Sequence, residues 1–231
     1  MTLDLMDAQT EILLETVDAL SEDDLASASS LPGWSRGHVL AHLAGNAEGL
    51  GRRARSMIDE VPRAMYESPE ARNGDIEWRS GRSVAQHRLA LSATHDDARR
   101  DFAGLPQARR DEVVEIRGGL TVRMGDFPLL RVQEVCIHHS DLGMDGYTWE
   151  DWPDELGAWA LPRAVGTFAS RGDFPVAWVE ADGKRMPITG GEGPGLAGSS
   201  QELLAWITGR APGTGLTPVG LAAVPAPPPW L

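Results

Sequence analysis

The sequence predicts a mostly helical protein of class α plus α/β: an N-terminal four-helix bundle followed by a small C-terminal α/β domain. Three observations carry that expectation. Four long stretches space their apolar residues with a helical period. The connectors between them are polar or rich in proline and glycine. After Asp145-Gly146 the texture changes, and strand-like alternation and glycine clusters take over. The boundary is expected near residue 150, giving domains 1–150 and 151–231, and a chain of 231 residues has room for both.

Taken in order, Leu3 to Leu20 has a helical rhythm in Leu3, Met6, Ile12, Leu13, Val17 and Leu20. Ser21-Glu22-Asp23-Asp24-Leu25 is a polar connector with helix-start character. Leu31-Pro32-Gly33-Trp34 is a turn, and Ser35 is the natural N-cap of a second helix reaching about Ile58. A loop with Pro62, Pro69 and Gly74 follows. A third helix starts near Ser83 and runs towards Phe102. Val113 to Met124, with its β-branched residues and Gly118-Gly119, is a short hairpin or an extended loop. The fourth helix spans about Pro128 to Leu142, and four such helices fit an antiparallel bundle.

In the second domain, Asp154 to Ser170 reads as a helix that Pro162 should kink or divide. Pro175 to Glu180 alternates like a strand, Asp182-Gly183 turns, and Arg185 to Ile188 returns. Ser200 caps a last helix, Gln201 to Thr208, which Gly209 ends. The tail Pro225 to Leu231 is extended.

Composition excludes several function classes. Apolar content of 42% and charged content of 24% belong to an ordinary globular protein. A net charge of −13 argues against nucleic acid and anionic membranes as partners, since both attract basic patches. No stretch approaches the roughly 20 apolar residues of a membrane span. The N-terminus has no basic region followed by an apolar core, so no signal peptide is expected. Cys136 is the only cysteine, which excludes an intramolecular disulfide and fits a reducing cytoplasm.

The chemistry concentrates in two helices. At about 100° per residue, Glu134 and His138 share one face of the fourth helix, about 40° apart. A histidine from the second helix would complete a His/Glu/His set, the ligand type of catalytic zinc with an open fourth position. His38 and His42, four residues apart, could also chelate by themselves, although His38 stands where a side chain serves the helix N-terminus. A carboxylate on an apolar face is paired or binds a metal. Spacing alone leaves open whether the partner of Glu134 is an arginine or an ion.

Other candidates are weaker. His139 is rotated about 100° from His138 and points elsewhere, and Cys136 lies about 200° from Glu134, as a packed small residue. His87 and His95 share a face but lack an acidic partner at ligand spacing. Ser140-Asp141 has no Gly-X-Ser-X-Gly turn to make a nucleophile, and the glycines at 190–195 lack a P-loop ending. Arg210, directly after Gly209, either opposes a helix dipole or grips a carboxylate.

The segment Gly33-Trp34-Ser35…His42-Leu43 resembles the metal-binding helix of DinB-like four-helix bundles. Together with Glu134-Val135-X-Ile137-His138-X-X-Asp141-Leu142-Gly143 it resembles one branch, the mycothiol-dependent maleylpyruvate isomerases. Ser68-Pro69-Glu70-Ala71-Arg72-Asn73, Gly209-Arg210 and Pro228-Pro229-Trp230-Leu231 narrow the resemblance, which runs from residue 31 to the C-terminus. The resemblance is uneven and does not place the residues from Trp78 to Arg82.

The resemblance implies a C-terminal domain similar to sterol carrier proteins and metal ligands at His42, Glu134 and His138. It also implies an essential arginine at Arg210. It further implies Zn2+ and mycothiol as cofactors, and maleylpyruvate as a substrate converted to fumarylpyruvate in gentisate breakdown. Rival readings within reach of the same residues are a mycothiol S-transferase and a non-enzymatic metal- or ligand-binding module.

Overall fold

Capping residues decide where most helices of this protein begin. The structure, a computed structural model, describes residues 2–117, 119–172 and 174–230. Gly118 of the expected Gly118-Gly119 turn and Leu231 of the tail lie outside the described residues. The chain divides into two compact units, Met1–Gly143 and Met144–Leu231.

The first unit contains α1 (Thr2–Asp18), α2 (Glu22–Ala26), α3 (Arg36–Asp59), α4 (Pro69–Ser80), α5 (Val84–Ala103) and α6 (Phe127–Asp141). A hairpin of β1 (Val113–Arg117) and β2 (Leu120–Arg123) precedes α6. The Ser35 hydroxyl accepts from the His38 N–H, and the His38 ring serves the Ser35 N–H in return, so α3 starts on a reciprocal cap. Ser83 and Gln86 form the same device for α5, and Ser21 with Asp24 turns the expected connector into the short α2. α3 packs against α4, α5 and α6, while α1 packs against α5 and α6. Met6, Leu13, Leu40, Leu43, Leu91 and Phe127 are buried between them, where apolar burial drives the packing.

The expected loop around Pro69 and Gly74 is instead the helix α4. Ser68 accepts from the Ala71 N–H, and Pro69 occupies the first turn, where its missing N–H costs nothing. The Arg79 guanidinium donates to both carboxylate oxygens of Glu48 at 2.9 and 3.0 Å, tying α4 to α3.

At Gly37 the two helices approach so closely that a Cβ would lie 2.3 Å from the Ser80 carbonyl oxygen. Alanine there gains about 1 kcal/mol of helix propensity but meets backbone that cannot swing aside, and overpacking costs about 1–3 kcal/mol. Gly37→Ala is therefore expected to destabilise the protein, seen as a lower urea midpoint with an unchanged m-value.

The second unit has α7 (Asp154–Ala169), β3 (Trp178–Ala181), β4 (Lys184–Pro187), β5 (Gly195–Ala197), α8 (Ser200–Ile207) and β6 (Thr217–Val219). Its sheet runs β4-β3-β5-β6, with β3/β5 parallel and the other pairs antiparallel. Asp182 and Gly183, both at positive φ, make the β3–β4 turn. Pro162 neither divides nor ends α7, which continues across it to Ala169. The cap of α8 is Ser199, one residue earlier than expected. The tail lies on its own unit: the Trp230 ring stands 5.6 Å from that of Phe168, and the Pro229 carbonyl accepts from Arg171 at 2.9 Å.

Candidate metal centre

Two helices bring three ligand-type side chains to one point. His42 leaves the second turn of α3, while Glu134 and His138 leave successive turns of α6. His42 Nε2 lies 3.1 Å from Glu134 Oε2, and His138 Nε2 lies 3.7 Å from the same oxygen. The imidazole rings meet edge to face with centroids 4.6 Å apart. The three donor atoms lie within 4.8 Å of one another. A tetrahedral ion with bonds of about 2.0–2.2 Å holds its donors roughly 3.4 Å apart. The two measured separations bracket that figure, so the residues present fit a metal after small side-chain rotations.

The protonation states fit as well. Burial drives the His42 imidazole down to about 4, against the opposing pull of its hydrogen bond to Glu134, so it is neutral at pH 7. For Glu134, burial pushes upward, but the hydrogen bond from His42 and the charges of His42, His138 and Arg131 prevail and bring it to about 2. Neutral imidazoles and an ionised carboxylate are what a metal requires. Side-chain exposures of 7% for His42, 18% for His138 and 25% for Glu134 leave one side of the set reachable for a further ligand.

Behind the ligands stand residues that orient them. His138 Nδ1 lies 2.8 Å from Asp141 Oδ2, one turn further along α6. The buried carboxylate keeps the proton on Nδ1 and so leaves Nε2 free to ligate. Asp141→Asn is expected to cut metal affinity by about 10–100-fold, the usual cost of an outer partner, as measured by competition with a chromophoric chelator.

Behind His42 the partner is a cation: Arg72 Nη2 approaches Nδ1 at 3.2 Å. A guanidinium can only donate, so here Nδ1 accepts and Nε2–H donates to Glu134. Trp34 packs its edge on His42 at 5.7 Å.

One turn before Glu134, the fully buried Arg131 donates from Nη1 to the Leu43 carbonyl at 2.9 Å and to Asn46 Oδ1 at 3.1 Å. It thereby clamps α6 to α3 next to His42. Burial lowers it to about 10, still charged at neutral pH.

The remaining candidates fall elsewhere. His38 serves the α3 cap, with Nε2 3.1 Å from Glu77 Oε2. His139 is buried against α1, 2.8 Å from Thr16 Oγ1. The Cys136 thiol, also facing α1, donates to Gln9 Oε1 at 3.3 Å. His95 does have an acidic partner, supplied by another helix: Asp7 Oδ1 at 3.1 Å. Arg210 belongs to the second unit, where its guanidinium donates to the Thr208 carbonyl at the end of α8. Sequence spacing missed Tyr66, Arg72 and Arg131 as neighbours of the centre. For Asp141, the signal was present as an acid three residues after His138.

Comparison with known proteins places this centre in a family. No curated protein sequence matches the chain. Two solved structures share its fold: a crystal structure titled as the mycothiol-dependent maleylpyruvate isomerase, and one of a histidine-to-alanine mutant of that enzyme. Each is 24% identical with a TM-score of 0.87, over 99% of this chain and 95% of its own. Residues 6–143, more than half of the sequence, match the family described as the mycothiol maleylpyruvate isomerase N-terminal domain. That match takes in both helices that carry His42, Glu134 and His138, and the chain belongs to this family.

Proposed function

We propose that this protein is a zinc-dependent isomerase that uses mycothiol to convert maleylpyruvate to fumarylpyruvate, a step of gentisate degradation. The observation that carries the reading is the convergence of His42, Glu134 and His138 within a domain of this family. The fold shared with an enzyme titled as the mycothiol-dependent maleylpyruvate isomerase supports it. We read α1, α3, α5 and α6 as a DinB-like four-helix bundle within residues 1–150. Residues 151–231 are then a small α/β domain similar to sterol carrier proteins. No helix among the described residues is long and apolar enough to cross a membrane, and the reading assigns the enzyme to the cytoplasm.

Turning a cis double bond into a trans one requires that bond to become single for a moment, and addition then elimination of a thiol achieves this. Zinc and mycothiol together supply a thiol whose pKa is lowered enough to be ionised at neutral pH. His42, Glu134 and His138 hold the ion, with Glu134 contributing the single negative charge of the set. Asp141 keeps His138 in the ligating tautomer, and Arg131 fixes the spacing of α3 and α6. Arg210 is assigned the gripping of a carboxylate. Cys136 takes no part, since its thiol is committed to Gln9.

The test is turnover of maleylpyruvate by zinc-loaded protein, with and without mycothiol, and with product identification. Fumarylpyruvate formed only with mycothiol is the expected result. A mycothiol conjugate that accumulates would make the protein an S-transferase. Tight zinc binding without any turnover would make it a binding module.

A further inference from the structure

We propose that Arg72 and Arg117, converging on Tyr66 beside the metal centre, form an anion clamp that takes a carboxylate of the substrate. The identity of that substrate rests on the isomerase reading, whereas the clamp itself rests on the arrangement of these three residues.

In a chain with 34 acidic and 21 basic residues, arginines find carboxylates easily. Arg55 meets Asp101 at 2.7 Å, Arg88 meets Asp18 at 2.6 Å and Arg99 meets Asp7 at 2.8 Å. Arg72 and Arg117 are among the arginines that do not, for among the described residues neither is ion-paired to a carboxylate. They come from different elements, α4 and β1, yet both guanidinium carbons lie 5.8 Å from the centroid of the Tyr66 ring. Two cations gathered on one ring without a counterion, in a protein this acidic, are an arrangement for holding an anion.

The cluster adjoins the chemistry. Arg72 touches His42, and Tyr66 lies close enough to Glu134 to feel its charge. Burial first, and that charge second, push the Tyr66 phenol upward, so it remains a hydrogen-bond donor at neutral pH. The other contacts of Arg72 are with neutral groups: Nη1 donates to its neighbour Asn73 at 3.0 Å, the Tyr66 phenol oxygen accepts from the guanidinium, and the buried Nε has no partner. When His42 gives its Nε2 lone pair to a metal, its proton sits on Nδ1 and Arg72 loses that acceptor too. The guanidinium is then left with donors to place. A carboxylate takes two parallel N–H donors from such a fork, and Arg117, which is exposed, can close on the same group.

The probe is maleate, a cis-dicarboxylate without the keto group, titrated calorimetrically into the full-length, zinc-loaded protein. Arg117→Gln and Arg72→Gln are each expected to weaken maleate binding by about tenfold or more, with Arg117→Lys retaining part of it. In zinc-loaded enzyme, Arg117→Gln should raise KM for maleylpyruvate and leave KM for mycothiol and the zinc content unchanged. Equal maleate affinity in wild type and both glutamine variants, or no maleate binding by wild type, overturns the clamp. Arginine-dependent maleate binding without any maleylpyruvate turnover leaves the clamp standing and removes the isomerase reading. Turnover with unaltered KM in both variants does the reverse.

Discussion

Replacing His42 with alanine is expected to abolish metal binding and turnover together. His42 is the only ligand contributed by α3; without it the ion is left with Glu134 and His138, two donors from successive turns of one helix. Losing an outer partner of a ligand costs about 10–100-fold in affinity, so losing a ligand itself should exceed 100-fold. Metal analysis after gel filtration should find well under one ion per chain. The fold should survive. In the metal-free protein the change removes two hydrogen bonds, one from Arg72 and one to a carboxylate that is 25% exposed and still has His138 at 3.7 Å. That loss is worth about 1–3 kcal/mol, an amount a domain of this size tolerates. Zinc should raise the melting temperature of wild type, through its preference for the folded state, and leave the variant unmoved. A His42→Ala protein that keeps one zinc per chain and wild-type turnover would put the chemistry elsewhere.

What the sequence made legible was local. The Ser35 cap, the helical face shared by Glu134 and His138, and the opposite orientation of Cys136 all follow from residues within two turns of one another. α4 escaped because only Ile76 is buried along it, so no apolar stripe marks a helix among Pro62, Pro69 and Gly74. Its signal lay in Ser68-Pro69-Glu70, a cap, a first-turn proline and a first-turn acid. Pro162 pointed to a kinked or divided helix, and α7 is not divided, because packing against α8 outweighs one absent N–H. The partners that tune the site were out of reach for a different reason. Arg72 meets His42 across 30 residues, and Arg131 meets the Leu43 carbonyl across 88. Such pairs are set by how helices pack, and periodicity within one helix says nothing about them.

Acid should unfold the metal-free protein in two stages, and the first stage should carry the signature of the centre. A histidine whose folded pKa is about 4, against 6.5 when exposed, binds its proton in the unfolded chain first. Stability is therefore full above pH 6.5 and falls as pH drops towards about 4, with His42 alone accounting for about 3 kcal/mol. His87 and His95, lowered chiefly by burial, add to the same window with the same sign. Glu134, brought from 4.5 to about 2, gives a second loss below pH 4.5. Relief of self-repulsion opposes the first stage, because a charge of −13 at neutral pH shrinks towards the pI near 4.8. At about 0.15 M salt, however, charges more than about 8 Å apart are largely screened, and the buried histidines dominate. Urea midpoints of EDTA-treated protein at pH 7.5, 6, 5 and 4 should fall steadily. Zinc should hold the midpoint up until protons displace it, after which the two curves should merge. In His42→Ala the slope between pH 6.5 and 4.5 should flatten by the share His42 contributes, while the loss below pH 4.5 persists. A variant with an unchanged slope would mean that His42 is protonated as readily in the fold as outside it. The neutral, ligating imidazole inferred for α3 would then be wrong.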